Sequence, residues 1–316
     1  MRVLFFNSIK VVKKLADIKI IDRTLVEMYN CDTENFKSNA EKIKEFSKLI
    51  YEIGADVIEV TPEIIKILNL VPADTRYKVK TEKEIIAVRD CDLNLDSLTI
   101  LPADEIRING LCDVMLHDYQ KIFAKLIDDF SDEIEMCFSN SMHLSTAAAY
   151  EWIHSGGKSI VTSFAGLGTL TPLEEVIGVL QFIDEMELRG NLTLLPKALN
   201  LYQDIVGEVI PKNKPVIGIG IFDVESGVHV DGILKNPKNF EPFEPSLIGR
   251  ERCIVIGKFS GEKAIKIKLE QLNIKYKNED VPCILSEVRA VSTDKMRGLL
   301  DSELFEICKK VGGING

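Results

Sequence analysis

Ile18-Lys-Ile-Ile-Asp-Arg-Thr-Leu25 is a β-branched, aliphatic run of strand length, and Glu34–Ile53 follows it with Phe36, Ile43, Phe46, Ile50 and Ile53 at helical spacing. Gly54 marks the helix stop, Asp56–Val60 reads as the next strand, and Thr61-Pro62 opens a short helix with proline at its first position. Working outward, Glu84–Val88, Ser97–Leu101, Glu133–Phe138, Lys158–Phe164 and Val216–Ile221 read as further strands. Leu111–Phe130, Leu144–His154 and Leu173–Leu188 read as helices. Alternating strands and helices require parallel strands joined by crossovers. About eight such units in roughly 220 residues predict an α/β fold of the (β/α)8 TIM-barrel type rather than an open sheet. No glycine follows Asp22, and neither Gly166-Leu-Gly168 nor Gly218-Ile-Gly220 completes G-x-G-x-x-G, so a dinucleotide site is not indicated.

Beyond about residue 225 the character changes. Asp231–Pro245, rich in Pro, Asn and Gly, predicts an extended connector. Cys253–Gly257 reads as a strand, Ser260 as the cap of a helix running to Leu272, and the tail from Val281 as one or two helices. The expectation is a barrel over residues 1–225 and a small α/β linker with a helical subdomain over residues 226–316.

The 316 residues carry 49 Asp+Glu against 39 Lys+Arg, a net charge of −10. That balance argues against nucleic acid and anionic membrane as partners, since both reward basic surfaces. No apolar run approaches the roughly 20 residues of a membrane helix, and the N-terminus lacks the apolar core of a signal peptide, so a cytoplasmic chain is expected. Seven cysteines, none in a C-x-x-C pair, read as reduced thiols, most of them core fillers.

Glu225-Ser-Gly-Val-His-Val-Asp-Gly-Ile-Leu-Lys-Asn-Pro237, Phe240-Glu-Pro-Phe-Glu-Pro245 and Ile256-Gly-Lys-Phe-Ser-Gly261 closely resemble the homocitrate synthase and isopropylmalate synthase family, nearest to its nitrogen-fixation type. The likeness extends back through Pro211-Lys-Asn-Lys-Pro215 and Gly166-Leu-Gly168 to Ile21-Asp-Arg-Thr-Leu25 and Gly54-Ala-Asp-Val-Ile-Glu59. It implies an HMGL-like (β/α)8 barrel with a linker subdomain, usually a dimer in which each linker reaches the partner's barrel. It also implies a Claisen condensation of acetyl-CoA with a 2-oxo acid, 2-oxoglutarate by the closest motifs. Such a reaction needs a divalent metal as Lewis acid, a cation for the enolate and a base for the methyl proton.

Against the family pattern, the first-strand motif reads Asp22-Arg-Thr-Leu-Val-Glu-Met28, with Val26 for the enolate-stabilising arginine and Glu27 for the metal-binding aspartate. The His-x-His-Asn-Asp motif reads Cys137-Phe-Ser-Asn-Ser141, with His143 nearby but out of place, and the Gly-Asn-Ala segment falls in the shortened Thr169-Leu-Thr-Pro172. Phe240 stands for the linker tyrosine and Phe259 for the histidine of Gly-Lys-His-Ser-Gly. The resemblance therefore implies a degenerate barrel with no metal of its own: the omega-like subunit of a two-chain synthase, whose catalytic partner holds Mg or Mn. A self-dimer and a regulatory or scaffolding pseudoenzyme are the alternatives.

By the same resemblance His229 and Glu59 are the candidate catalytic residues, and Asp22 and Glu27 the candidate substrate-binding ones. His229 reads equally as a trans-acting acid–base residue and as a polar residue holding a linker turn. Glu27 and Glu59 read as solvated or internally paired carboxylates before an ion or substrate site, and Cys137 as a filler thiol before a nucleophile.

Overall fold

Strand β1 (Lys19–Asp22) ends earlier than the sequence suggests. Its last carboxylate accepts hydrogen bonds from the Thr24 amide (3.0 Å) and the Thr24 hydroxyl (2.9 Å), a local turn that swings the chain into helix α1 (Thr24–Cys31). The computed structural model describes residues 18–71, 74–79, 85–88, 107–130 and 134–312. The expected strand Ser97–Leu101, Glu84, Cys91 and the N-terminal segment lie outside the described residues. The chain forms two compact units, Met1–Gly190 and Asn191–Gly316.

The helix expected over Glu34–Ile53 is two helices, α2 (Thr33–Ser38), capped by the Asp32 side chain, and α3 (Ala40–Ile53). Asn39 breaks them by turning its side-chain amide onto the Asn35 carbonyl at 3.1 Å, a local bond that competes with the helical ladder. Gly54 ends α3 at φ 139°, and a Cβ there would stand 2.8 Å from the Arg189 carbonyl oxygen, so only glycine fits. β2 (Val57–Val60) follows, then α4 (Pro62–Leu68), whose Thr61 cap accepts from the Ile64 amide at 3.3 Å.

The remaining strands of the first unit are β3 (Tyr77–Val79), β4 (Ile85–Val88), β5 (Arg107–Gly110), β6 (Glu135–Phe138), β7 (Ser159–Ser163) and the two-residue β8 (Thr171–Pro172). Its remaining helices are α5 (Tyr119–Phe130), α6 (Ser145–His154) and α7 (Leu173–Gly178). Two predicted helices are shorter than their apolar patterns. Leu111, at φ 50°, delays α5 behind a 3-10 turn, and α7 passes into a single π turn at Val179–Ile183.

The strands pair in parallel in the order β3-β2-β1-β7-β6-β5-β4, with β8 beside β7. This is the cyclic order of a barrel, with the first strand bonded to the last long one; among the described residues no β3–β4 pairing closes the ring. The sheet is nonetheless curled. Glu59 on β2 pairs with Arg107 on β5, four strands away, a distance of about 19 Å along a flat sheet and beyond the reach of the two side chains.

The segment Val216–Ile221, expected as the last strand of the series, is a series of turns. Val216 takes φ 64°, costly for a β-branched residue, and Gly218 passes so close to Lys212 and Lys214 that no side chain fits. The second unit instead holds α8 (Leu195–Val206), β9 (Asp223–Val224), α9 (Gly227–Lys235) and β10 (Cys253–Ile254), then α10 (Glu262–Gln271), α11 (Val281–Lys295) and α12 (Asp301–Gly312). The first part of the expected connector, Asp231 to Lys235, is thus helical, and only Pro237–Asn239 and Pro245–Ile248 form short 3-10 turns beyond it. Ser260 does not cap α10: its hydroxyl accepts from the Gly257 amide at 2.9 Å, and Gly261 precedes the helix. Val230, Ile265, Leu269, Ile284, Val288 and Leu304 form the apolar centre of this unit.

Of the described cysteines, Cys137 and Cys308 are buried while Cys31, Cys253 and Cys283 are exposed, so most are not core fillers. No helix among the described residues is long and apolar enough to cross a membrane.

Candidate functional site

Strands β2, β3, β5 and β6 and the start of α1 bring charged side chains together inside the curled sheet. Parallel strands buried on both faces usually present aliphatic residues inward; here Glu59, Arg107 and Glu135 are all buried. They form a continuous chain of alternating charge. Arg23 Nε donates to Glu27 Oε1 at 2.6 Å, and Arg23 Nη1 donates to Glu59 Oε1 at 2.8 Å. Arg107 Nη2 pairs with Glu59 Oε2 on one side and donates to Glu135 Oε2 at 2.6 Å on the other. Lys78 Nζ closes the row by donating to Glu135 Oε1 at 2.9 Å.

Among the described residues three cations therefore meet three carboxylates, which is how buried charges are kept in a folded interior. Burial alone pulls the Arg107 guanidinium down, but hydrogen bonds and charge from Glu59 and Glu135 outweigh it and hold the group above the ordinary arginine range. Burial likewise pushes Glu135 up, and Arg107 and Lys78 bring it below the usual carboxylate range.

Asp22 stands beside this row, and among the described residues no cation pairs with it. Burial drives its carboxyl up to about 7, against the two hydrogen bonds from Thr24 and with the charge of Glu59 adding to the rise. Thr24 Oγ1 in turn accepts from the Phe164 amide at 2.7 Å, so Asp22 and Thr24 lock β1 to the end of β7. Cys137 packs on Ile21 and Val161, and burial pushes its thiol up to about 11, with Arg107 and Arg23 offsetting part of the effect. A buried, protonated thiol is no nucleophile.

A cavity of about 220 Å³ opens next to the row, lined among others by Arg23, Glu27, Asn109, Cys137, Ser139 and Thr169. Gly168, at φ 70°, packs on Glu27, where a Cβ would lie 2.5 Å from Glu27 Oε2. Of the residues singled out from sequence, Glu27 and Glu59 are joined through Arg23, and Asp22 lies within the charge field of Glu59. Val26 is buried, and His143 is exposed at φ 58°.

His229 belongs to the second unit, on α9, where it is exposed and lines a cavity of about 230 Å³. Its ring lies 5.7 Å from that of Phe240, which lies against α9 over Gly232, where a Cβ would be 2.2 Å from Phe240 Cζ. Glu225 accepts from the Phe259 amide at 3.0 Å and so ties the Gly-Lys-Phe-Ser-Gly loop to the start of α9.

Sequence reasoning missed Arg23, Lys78, Arg107 and Glu135. The available signal was charge at inward positions: Arg107 and Glu135 are register partners on adjacent strands, as are Glu59 and Lys78.

The residues present around this row do not fit a divalent cation. Glu27 and Glu59 are held by guanidinium groups, Cys137 keeps its proton, and among the described residues no three His, Cys, Asp or Glu side chains converge as a ligand set.

Residues 216–296 match the family described as "Homocitrate synthase post-HMGL domain-like". The chain is 30% identical to "Homocitrate synthase, omega subunit" of Clostridium pasteurianum, across 92% of this chain and 95% of that one. The chain therefore belongs to the homocitrate synthase family. It is also 32% identical to "Homocitrate synthase AksA" of Methanothermobacter thermautotrophicus and 34% identical to "2-isopropylmalate synthase 2" of Caldanaerobacter subterraneus, over 61% and 60% of this chain. Each of those matches spans 50% of the longer relative. Within the family its likeness is to an omega subunit.

Proposed function

We propose that this chain is one subunit of a two-chain homocitrate synthase, lacking a metal site of its own and completing a catalytic partner. The observation that carries the reading is the commitment of Glu27, on α1, and Glu59, on β2, to Arg23 and Arg107. A carboxylate holding a buried guanidinium is not available to ligate a metal or to take a proton from a substrate without leaving that cation unpaired.

In this reading the partner, in the cytoplasm, supplies the Mg or Mn ion, its ligands and the enolate-stabilising arginine. The pair condenses acetyl-CoA with 2-oxoglutarate: the acetyl methyl loses a proton, its carbon attacks the ketone, and hydrolysis of the thioester releases CoA. Residues 1–225 are then the degenerate barrel, and residues 226–316 the linker and C-terminal subdomain. This chain's share is the interface and His229, whose exposed ring makes it accessible to a second chain. The nitrogen-fixation type of the enzyme is the nearest match of motif.

The test is CoA thiol release from acetyl-CoA and 2-oxoglutarate by this chain alone, by the partner alone and by both. Activity is expected with both and absent with this chain alone. Full activity from this chain alone would overturn the reading. A second reading, a scaffolding or regulatory pseudoenzyme, is favoured by Phe240, which lies beside His229 and carries no hydroxyl to relay a proton. His229→Ala separates the two: a loss of roughly 10² in the rate of the complex supports acid–base work, and an unchanged rate supports the scaffold.

A further inference from the structure

The turn Gly257–Gly261 of the second unit is tied down along its backbone, yet it shows two large side chains to solvent. Gly257 donates to Ser260 Oγ at 2.9 Å, Lys258 to Ser292 Oγ at 3.1 Å, Phe259 to Glu225 Oε1 at 3.0 Å, and Ser260 to the Gly257 carbonyl at 3.2 Å. Arg289 Nη2 donates to the Ser260 carbonyl at 2.8 Å, and the Ser292 hydroxyl donates to the Arg297 carbonyl at 2.7 Å. Amides at a surface can be satisfied by water, so partners within the protein for each of them mark a turn whose shape is fixed. Phe259 is nonetheless 69% exposed, and Lys258 is exposed with its Nζ 5.8 Å from the centre of the Phe259 ring.

Glu225 is the joint between this turn and His229. It directly follows β9, the turn lies shortly after the paired β10, and His229 is the third residue of α9, which opens at Gly227. The Glu225 carboxylate approaches the turn so closely that a Cβ on Gly257 would lie 2.4 Å from its Oε1, and its main-chain carbonyl accepts from Ser260 Oγ at 3.4 Å. Glu225 and His229 also line the same cavity. Among the described residues no cation pairs with Glu225, so it serves the turn as a hydrogen-bond acceptor rather than as a charge.

We propose that Glu225 is a positioning residue: by fixing the turn against the start of α9, it presents Lys258, Phe259 and His229 to the catalytic partner in one preformed arrangement. The proposal rests on the two-chain reading and names what sets the geometry of this chain's share in it. A surface ordered beforehand loses less entropy on binding, and a misplacement of about 1 Å in the assembled site can cost roughly 10² in rate.

The experiment combines thiol release by the complex of full chains with hydrogen exchange of the turn in this chain alone, read by mass spectrometry. Glu225→Ala leaves the Phe259 amide without its acceptor. It should speed exchange of the turn by at least ~10-fold and lower kcat of the complex roughly 10–100-fold, with KM changed by less than about threefold. Glu225→Gln keeps an oxygen for that amide and should bring both readouts back to within about threefold of the unchanged chain. Leu304→Ala, which opens a cavity in the apolar centre of the unit, should lower the melting midpoint and leave kcat alone, separating lost stability from lost position. Should Glu225→Ala not fold, Glu225→Met, similar in length and without an oxygen, takes its place; failure of both to fold overturns the proposal. So does an unchanged kcat or unchanged exchange in Glu225→Ala, a Glu225→Gln complex as slow as Glu225→Ala, or an equal loss of kcat in Leu304→Ala. A pair of unchanged chains that releases no thiol overturns the two-chain reading and the proposal together. An active pair indifferent to Glu225→Ala overturns the proposal alone.

Discussion

Arg23 Nη1 lies 2.8 Å from Glu59 Oε1, joining the turn after β1 to the middle of β2 inside the sheet, with only 1% of the glutamate side chain exposed. Arg23→Ala leaves Glu59 dependent on Arg107 alone and frees Glu27. A loss of about 3 kcal/mol is expected, at the low end for breaking a buried pair because one cation remains. Urea unfolding measures it as a lower midpoint with an unchanged slope. The double replacement Arg23→Met/Glu59→Met, which removes both charges, should cost clearly less than the sum of the single changes.

Asp22 makes the stability of the chain depend on pH. Its carboxyl is raised by burial from an ordinary 3.8 to about 7 in the folded chain, so between those values the folded state holds a proton that the unfolded state has lost. Stability from this group is full below about pH 4 and declines as pH rises towards 7, with a slope of at most about 1.4 kcal/mol per pH unit. Asp22→Asn should remove that decline and be the more stable chain at pH 8. Denaturation curves between pH 5 and 8 check it; equal slopes in the two proteins would count against the assignment.

The cysteines should divide by reactivity. Cys31, Cys253 and Cys283 are exposed, whereas Cys137 and Cys308 are buried and burial raises both thiols to about 11. Brief treatment of the native protein with iodoacetamide, read by peptide mass spectrometry, should label the first three and spare Cys137 and Cys308. Early labelling of Cys137 would show that its thiol is neither buried nor protonated.

His229 is exposed and contributes to no core, so His229→Ala should change stability by less than about 0.5 kcal/mol whatever it does to the complex. Midpoint and thiol-release rate measured on the same preparation therefore separate a chemical role from a structural one.

Much of the α/β alternation was legible because β1, β2 and β7 are dense in Ile and Val, and because helices such as α3 and α6 carry their apolar residues at helical spacing. β5 was not, since Arg107-Ile-Asn-Gly110 places polar groups where an inward face is expected to be aliphatic. α9 was hidden by Gly227 and Gly232, which lower helix propensity, although Gly232 is what allows Phe240 to lie against the helix. Val216–Ile221 looked like a strand on hydropathy alone, yet its course is set by Val216 in a left-handed turn. At the site, Asp22, Glu27 and Glu59 could be named from the family motifs, but their partners Arg23, Arg107, Glu135 and Lys78 could not. The pairs that matter join β2 to β5 and β3 to β6, and such contacts exist only once the sheet has curled.

The pairing of β1 with β7 bears on how this chain is made. The Thr162 hydroxyl that bonds the Ile21 carbonyl is 141 residues downstream of it. During synthesis β1 leaves the ribosome with β2 soon available on one side, but the amides and carbonyls of its other edge wait for β7. Such an edge invites pairing with another chain, and contacts at this sequence separation form slowly. The nascent protein therefore passes through a long interval in which its first strand is half-dressed, and it is there, more than in the finished fold, that a chaperone would find something to hold.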